Sequence, residues 1–234
     1  MPEGLNSIQG FVILMAIAAV AVTYLPAIMI KHFQRQALRR ASRGKLALTY
    51  DDGPDPLLTP RLLDLLRKYD AKASFFLLGF RAMRSPEICD LLARSGHELG
   101  CHAQWHLNCW MTTPWRAARN IEDGYQSMEQ WMPDNAPFRP PYGKLTTWTW
   151  WALRRRGRAL RWWTCDGCDT HPVLPDPSAV ADRIIASGGG VVLMHGHDRG
   201  PERHQYVLQL TELLLIAARR QGIEICSMNE LCCA

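Results

Sequence analysis

Leu46-Ala47-Leu48-Thr49-Tyr50-Asp51-Asp52-Gly53-Pro54-Asp55-Pro56 decides how the chain is read. An apolar run short enough for a buried strand ends in two adjacent carboxylates, and Gly53-Pro54 then turns the chain. Side chains alternate along a strand. Where a strand passes into a turn the alternation breaks down, so Asp51 and Asp52 can face one cavity. Two ionised carboxylates that close repel, which calls for a cation beside them or one raised pKa. The competing reading is an Asp-rich turn that caps the next helix, because Asp, Gly and Pro are ordinary turn residues.

Downstream, residues 60–68 carry Leu62, Leu63, Leu65 and Leu66 on a helical stripe, with Thr59 as the expected N-cap and Pro60 in the first turn. Residues 71–78 read as a second buried strand, and residues 86–95 as a helix that stops at Gly96. Glu98-Leu99-Gly100-Cys101 leads directly into His102 and His106. Strand alternating with helix is the rhythm of a parallel α/β fold. The four-residue spacing of His102 and His106 puts both imidazoles on one side of a turn, where with one carboxylate they suit a divalent metal. His97 reads as structural.

Thr113 and Pro114 open a longer helix whose expected core face is Trp115, Ala118, Ile121, Tyr125, Met128 and Trp131/Met132. Phe138-Arg139-Pro140-Pro141-Tyr142-Gly143 is an extended loop in which Arg139 offers a carboxylate a two-pronged partner. Residues 146–163 interleave Trp with Arg, which suits a membrane interface, a sugar-binding surface or an ordinary amphipathic helix; a helix to about Arg156 and a strand over 159–165 are expected. Cys165-Asp166-Gly167-Cys168-Asp169 contains a C-x-x-C, but no second such pair accompanies it, and its acids look more useful than its thiols. Residues 191–194 form an apolar strand with His195 at its end, the position of a general acid or base. His197 and Asp198 have no role separable from loop chemistry. A helix over 206–220 and a strand over 223–226 complete the pattern.

The length of 234 residues, 47% hydrophobic, fits one sizeable domain with an appendage. Net charge is +5, and six of the Lys and Arg residues lie between Lys31 and Lys45 without an acid among them. Residues 46–234 balance 21 basic against 21 acidic side chains, which argues against a nucleic-acid-binding face. Residues 11–30 are apolar apart from Thr23, Tyr24 and Pro26, and twenty helical residues span about 30 Å, the thickness of a bilayer core. A cleaved signal is disfavoured because Met1 to Ser7 carries Glu3 and no basic residue. The expected organisation is an anchor over 1–30, a basic juxtamembrane linker over 31–44 and a catalytic domain over 45–234. The basic flank and eight irregularly spaced cysteines place that domain on the cytoplasmic side.

Taken in order, Asp51-Asp52, His102/His106, Arg139 to Tyr142, Asp166/Asp169 and Leu193/His195 resemble the motifs of the polysaccharide deacetylase family, the NodB-homology carbohydrate esterases. The resemblance covers residues 45–226 and implies a distorted (β/α) barrel of about seven parallel strands that removes N-acyl groups from amino sugars. It implies Asp52, His102 and His106 as ligands of one divalent metal, with zinc the first choice and cobalt, nickel, manganese or iron the alternatives. Asp51 becomes the general base, Arg139 its holder, His195 the general acid and Asp169 its orienting partner. The Tyr142 N–H would stabilise an oxyanion and Leu193 would line the acyl pocket. Ala103, Thr170 and Gly196 depart from the family's usual Ser or Thr, Trp and Asp. With the anchor, this implies a lipid-linked or membrane-linked N-acylated (most simply N-acetylated) glycan substrate at the inner leaflet. The alternatives are an extracytoplasmic enzyme acting on peptidoglycan or a chitin-like polymer, and an inactive carbohydrate-binding homologue.

Overall fold

The computed structural model describes residues 7–233; Met1 to Asn6, nearly all of the N-terminal stretch that argues against a cleaved signal, and the side chains of Cys232 and Cys233 lie outside the described residues. In chain order the elements are α1 Ser7–Ala41, β1 Lys45–Gly53, α2 Leu58–Lys68, β2 Ser74–Leu77, α3 Gly79–Ala82, α4 Pro86–Arg94, β3 Glu98–Cys101, α5 Pro114–Ser127, α6 Thr147–Arg155, β4 Cys165–Asp166, α7 Pro177–Ala186, β5 Gly189–His195, α8 Pro201–Arg220, β6 Glu224–Ile225 and α9 Met228–Cys233.

β1 is the central strand. Leu46, Ala47, Leu48 and Tyr50 are fully buried, as expected of a parallel strand covered on both faces. Leu46 and Leu48 each contribute roughly 1.5–3 kcal/mol by leaving water. The order is β3-β2-β1-β5-β4, every pairing is parallel, and β6 pairs with the first residues of β1. Among the described residues there are thus six strands, fewer than the expected seven or so. The shortfall lies at residues 137–141, where Pro137, Pro140 and Pro141 have no N–H to give a ladder. Only Phe138 bridges there, to Cys101 on one side and Leu160 on the other. The strand expected over 159–165 is likewise reduced to Cys165–Asp166. Its backbone changes partner midway, since Arg161 donates to the Phe138 carbonyl and Thr164 to that of Val191.

Two helix expectations also change. α2 starts at Leu58 rather than after a Thr59 cap, because Asp55 Oδ1 accepts from the N–H groups of Leu57 and Leu58 at 2.9 and 2.7 Å. Thr59 Oγ1 instead accepts from the Asp55 N–H. The Asp-rich turn therefore does cap a helix, through its third carboxylate. α5 buries Ala117, Asn120, Ile121, Gly124 and Tyr125, while Trp115 is 71% exposed. Asn120 and Gly124 win the inward face because they fit against the loop after β3, which an apolar stripe does not register.

α1 is long and apolar enough to cross a membrane by length and composition. Pro26 lacks the N–H that would bond the Val22 carbonyl, and Thr147 Oγ1 at the start of α6 donates to that oxygen at 2.8 Å instead. The basic stretch beyond continues the helix to Ala41 and packs on the domain: Leu38 is buried, Arg35 Nε donates to the Trp163 carbonyl, and Trp162 Nε1 donates to Gln34.

Candidate active site

The sheet brings the chemistry-bearing residues to the carboxyl ends of its strands, the end at which ligands bind in open α/β sheets. Asp51 stands in register with Phe76 on β2 and with His195 on β5, and His102 follows Cys101 at the end of β3. The β1–β2 register slips between Asp51 and Gly53, and Asp52 occupies the left-handed region at φ 68°. This bulge cancels one step of the strand alternation, so both carboxylates reach the same cleft. Ala103, Tyr142 and Cys168 also have positive φ, each at or beside a site residue. Such conformations cost about 1–3 kcal/mol apiece and persist only where packing enforces them. The cleft, about 420 Å³, is lined by Asp51, Asp52, His102, His106 and His195, with Tyr142, Leu193 and Trp163 among the remaining walls.

Asp52 Oδ1 lies 3.3 Å from His102 Nε2 and 3.4 Å from His106 Nε2. His102 Nδ1 is 2.7 Å from the Arg139 carbonyl, which can only accept, so Nδ1 carries a ring proton and the tautomer this selects presents its lone pair at Nε2. A lone pair then faces a carboxylate oxygen that is buried without a hydrogen-bond donor. A cation resolves that conflict, and the ligand atoms of the three residues all lie within 4.8 Å of one another. An imidazole whose other N–H is given to a carbonyl is also the usual second-partner arrangement of a metal-bound histidine. The donor set therefore fits a divalent metal. Burial raises the Asp52 pKa, but where no cation is bound a proton on His102, then the charges of His106 and His195, outweigh it and hold the carboxyl well below its ordinary range. Burial also pushes His106 down, toward the neutral form that can act as a ligand.

Arg139 organises both carboxylates at once. Its carbonyl fixes His102, while its fully buried guanidinium donates through Nη1 to Asp51 Oδ1 at 2.8 Å and Thr49 Oγ1 at 2.7 Å and lies over the Phe76 ring. Across the cleft, Asp169 accepts from the His195 backbone N–H at 3.0 Å, and its Oδ2 is 3.1 Å from the ring Nδ1. Burial alone would lower the His195 pKa, but Asp169, with Asp51 and Asp52 behind it, raises it to about 9. The Tyr142 ring packs against His106, with centroids 4.3 Å apart.

His197, left without a role by the sequence, also faces the site: its Nδ1 is 3.6 Å from Asp52 Oδ2. Burial holds its pKa down at about 4, so its ring is neutral at pH 7. Asn120 is the second omission; it bonds both the N–H and the carbonyl of Trp105, the residue before His106. The C-x-x-C thiols are not joined: Cys165 Sγ is directed to the Gly189 carbonyl and Cys168 Sγ to that of Asp166.

A family profile described as polysaccharide deacetylase matches residues 39–160. A peptidoglycan-N-acetylglucosamine deacetylase of Bacillus cereus is 32% identical over 188 residues, 80% of this chain and 87% of the relative. The chain belongs to the polysaccharide deacetylase family. A chitooligosaccharide deacetylase of a Bradyrhizobium species is 27% identical to this deacetylase over 79% of it and 89% of the relative. A solved peptidoglycan N-acetylglucosamine deacetylase, in complex with 4-naphthalen-1-yl-N-oxidanyl-benzamide, superposes with a TM-score of 0.73 at 26% identity, covering 82% of this chain and 89% of that one. In this polysaccharide deacetylase the three departures from the usual motifs fall around the cleft. Ala103 is buried beside Gly124, Thr170 is in the cleft wall, and the Gly196 N–H donates to the Asp51 carbonyl at 2.7 Å.

Proposed function

We propose that the chain hydrolyses the N-acyl group, N-acetyl first, of an amino sugar, with Asp52, His102 and His106 holding one divalent metal, zinc the first choice. The observation that carries this reading is the buried Asp52 oxygen set between two imidazole nitrogens, in one cleft with Asp51–Arg139 and Asp169–His195. A cation bound there would polarise the amide carbonyl and lower the pKa of water toward ~7. Asp51, held by Arg139 on one oxygen, accepts the proton of the attacking water. The Tyr142 N–H donates to the developing oxyanion. His195, protonated and steadied by Asp169, gives its proton to the leaving amine nitrogen as the C–N bond breaks. Leu193 borders the space for the acyl methyl. The test is acetate release from N-acetylated chito-oligosaccharides before and after chelation. Restoration by added zinc supports the reading, and release indifferent to a chelator that strips the protein would sink it.

For substrate and place, the reading is a lipid-linked or membrane-linked glycan at the cytoplasmic face, with 1–30 as anchor, 31–44 as juxtamembrane segment and 45–234 as the catalytic domain. It is supported by the cation-rich flank of α1 and by the unbridged thiols of Cys89, Cys101, Cys109, Cys165 and Cys168. A second reading, an extracytoplasmic enzyme acting on peptidoglycan or a chitin-like polymer, is favoured by the substrates in the names of the relatives. Protease protection in sealed cells separates them: digestion of the domain from outside would overturn the cytoplasmic reading.

A further inference from the structure

Beside the cleft lies a second concavity of about 400 Å³, walled by α1 from Ala27 to Arg39 and by Trp110, Gly143, Lys144 and Leu145. Its charged lining is cationic: Lys31, Arg35, Arg39 and Lys144, beside the polar His32 and Gln36, with no acid among the described residues. Lys31 Nζ donates to the Gly143 carbonyl at 2.7 Å and lies over the rings of Trp162 and Trp163. Burial, then the nearby charges of Arg35 and Lys144, push the Lys31 ammonium down to about 8. Cations gathered without a carboxylate invite an anion.

Position narrows the choice of anion. One end of the groove is Ala27 and Ile28, on the apolar part of α1, where Tyr24 packs on Trp110 and Thr147 holds Val22 and Thr23. Trp148 and Trp151 of α6, about half exposed beside that contact, are suited to a headgroup layer. The other end is Gly143, which lines the catalytic cleft as well. A Cβ there would lie 2.7 Å from the Trp163 ring and 2.8 Å from Lys31 Nζ, so the strip between groove and cleft is built to close tolerance. From Ala27 to Arg39 the helix runs about 18 Å, room for a phosphate or diphosphate and the first sugar.

We propose that this groove binds the phosphate or diphosphate of a membrane-embedded lipid carrier whose amino sugar enters the adjoining cleft. The inference rests on the deacylase reading and names the substrate class of that site. The lipid tail leaves along Ala27 and Ile28, the four cations hold the phosphate, and the sugar passes Gly143 to reach Tyr142 and His106.

The test uses the full chain in phosphatidylcholine nanodiscs and the double variant Arg39→Gln/Lys144→Gln. Binding of farnesyl diphosphate to the wild type is expected to exceed that to the variant by about tenfold or more and to weaken with salt. Equal binding by the two forms overturns the groove. Inorganic pyrophosphate binding as tightly as farnesyl diphosphate overturns the lipid source, and displacement by equimolar phosphatidylglycerol reduces the groove to general membrane adhesion and overturns the subsite. The kinetic arm compares N-acetylglucosamine on a prenyl diphosphate with soluble N-acetylated chitotriose. The ratio of their kcat/KM values is expected to fall about tenfold in the variant, chiefly through KM, and an unchanged ratio overturns the proposal. If the wild type releases acetate from neither substrate while farnesyl diphosphate binding differs as expected, the deacylase reading fails and the groove stands.

Discussion

The two sides of the cleft are built from the same residue types. At the ends of β1 and β3, Asp52 faces His102 and His106; beyond β4 and at the end of β5, Asp169 faces His195. They differ in which ring nitrogen meets the carboxylate. His102 donates its Nδ1–H to the Arg139 carbonyl, so the tautomer this selects turns an Nε2 lone pair to Asp52 and the contact calls for a cation. His195 turns Nδ1 itself to Asp169, so the carboxylate favours a proton on the ring. An Asp–His contact is therefore no role in itself. On the proposed reading, the ring nitrogen that meets the carboxylate decides whether the pair would gather a metal or hold a proton.

The largest expected effect comes from Asp51, which lies between the two sides and belongs to neither pair. Asp51→Asn is expected to keep metal affinity within a few-fold and to lower kcat by about 10²- to 10⁴-fold. A variant as active as the wild type, with metal content equal, would remove Asp51 from proton transfer. Replacing Asp169 probes the other side directly. Asp169→Asn takes away the main support for the imidazolium and leaves burial to dominate, so the His195 pKa falls from about 9. An acid must be protonated to act, so the alkaline limb of the pH–rate profile moves to lower pH and activity at pH 7 drops by about 10²-fold. In the metal-loaded wild type the cation offsets Asp51 and Asp52, so that limb lies somewhat below 9. The same shift carries a stability signature in metal-free protein. A histidine pKa raised from 6.5 stabilises the fold fully below pH 6.5, and that contribution is lost as pH rises through 9. Urea midpoints should show this decline in the wild type and a smaller one in Asp169→Asn; identical profiles would break the comparison.

The sequence makes the strand ends legible and leaves the packing that braces them hidden. β1 can be read from residues 46–52 because its apolar run, paired acids and Gly-Pro occur together, and the family motifs lead to Arg139 and His195. The bulge at Asp52 cannot be read, since it depends on β2 pairing with both Asp51 and Gly53. The want of a seventh strand among the described residues is legible too, because three prolines within residues 137–141 have no N–H to give a ladder. Asn120 and Gly124 break the apolar period of α5, which is why a hydrophobic stripe gives Trp115 the inward place they hold. His197 is one residue beyond Gly196, where the family's usual Asp would stand, and only the fold turns it toward Asp52.

His197 offers a milder way to sharpen the contrast. It faces the Asp52 oxygen that His102 and His106 do not, with Nδ1 3.6 Å away and no hydrogen-bond partner among the described residues, so a small closure would let its neutral ring donate an N–H there and steady the carboxylate. His197→Ala is expected to weaken zinc binding by about 10- to 100-fold, the range for partners of metal ligands, while kcat at saturating zinc falls much less. Unaltered zinc affinity by competitive chelation would leave His197 outside the site.

The smallest change touches the metal side through the backbone alone. Gly124 on α5 lies where a Cβ would fall 2.5 Å from the Ala103 carbonyl carbon and 2.6 Å from the Gln104 nitrogen. Those atoms belong to the loop between His102 and His106, which is also tied to α5 by the Gln104 N–H to the Asn120 carbonyl. Neither contact is a flexible side-chain tip, so Gly124→Ala must move loop or helix. Better helix propensity would contribute only about 1 kcal/mol in return. Overpacking typically costs about 1–3 kcal/mol, so a small net destabilisation by urea unfolding is expected. The sharper expectation is asymmetry: His106 shifts relative to Asp52 and zinc affinity falls, while the alkaline limb set by His195 and Asp169 keeps its position. A variant that moved the limb and spared zinc affinity would mean that the two sides of the cleft are not braced separately, and the contrast between them would lose its structural basis.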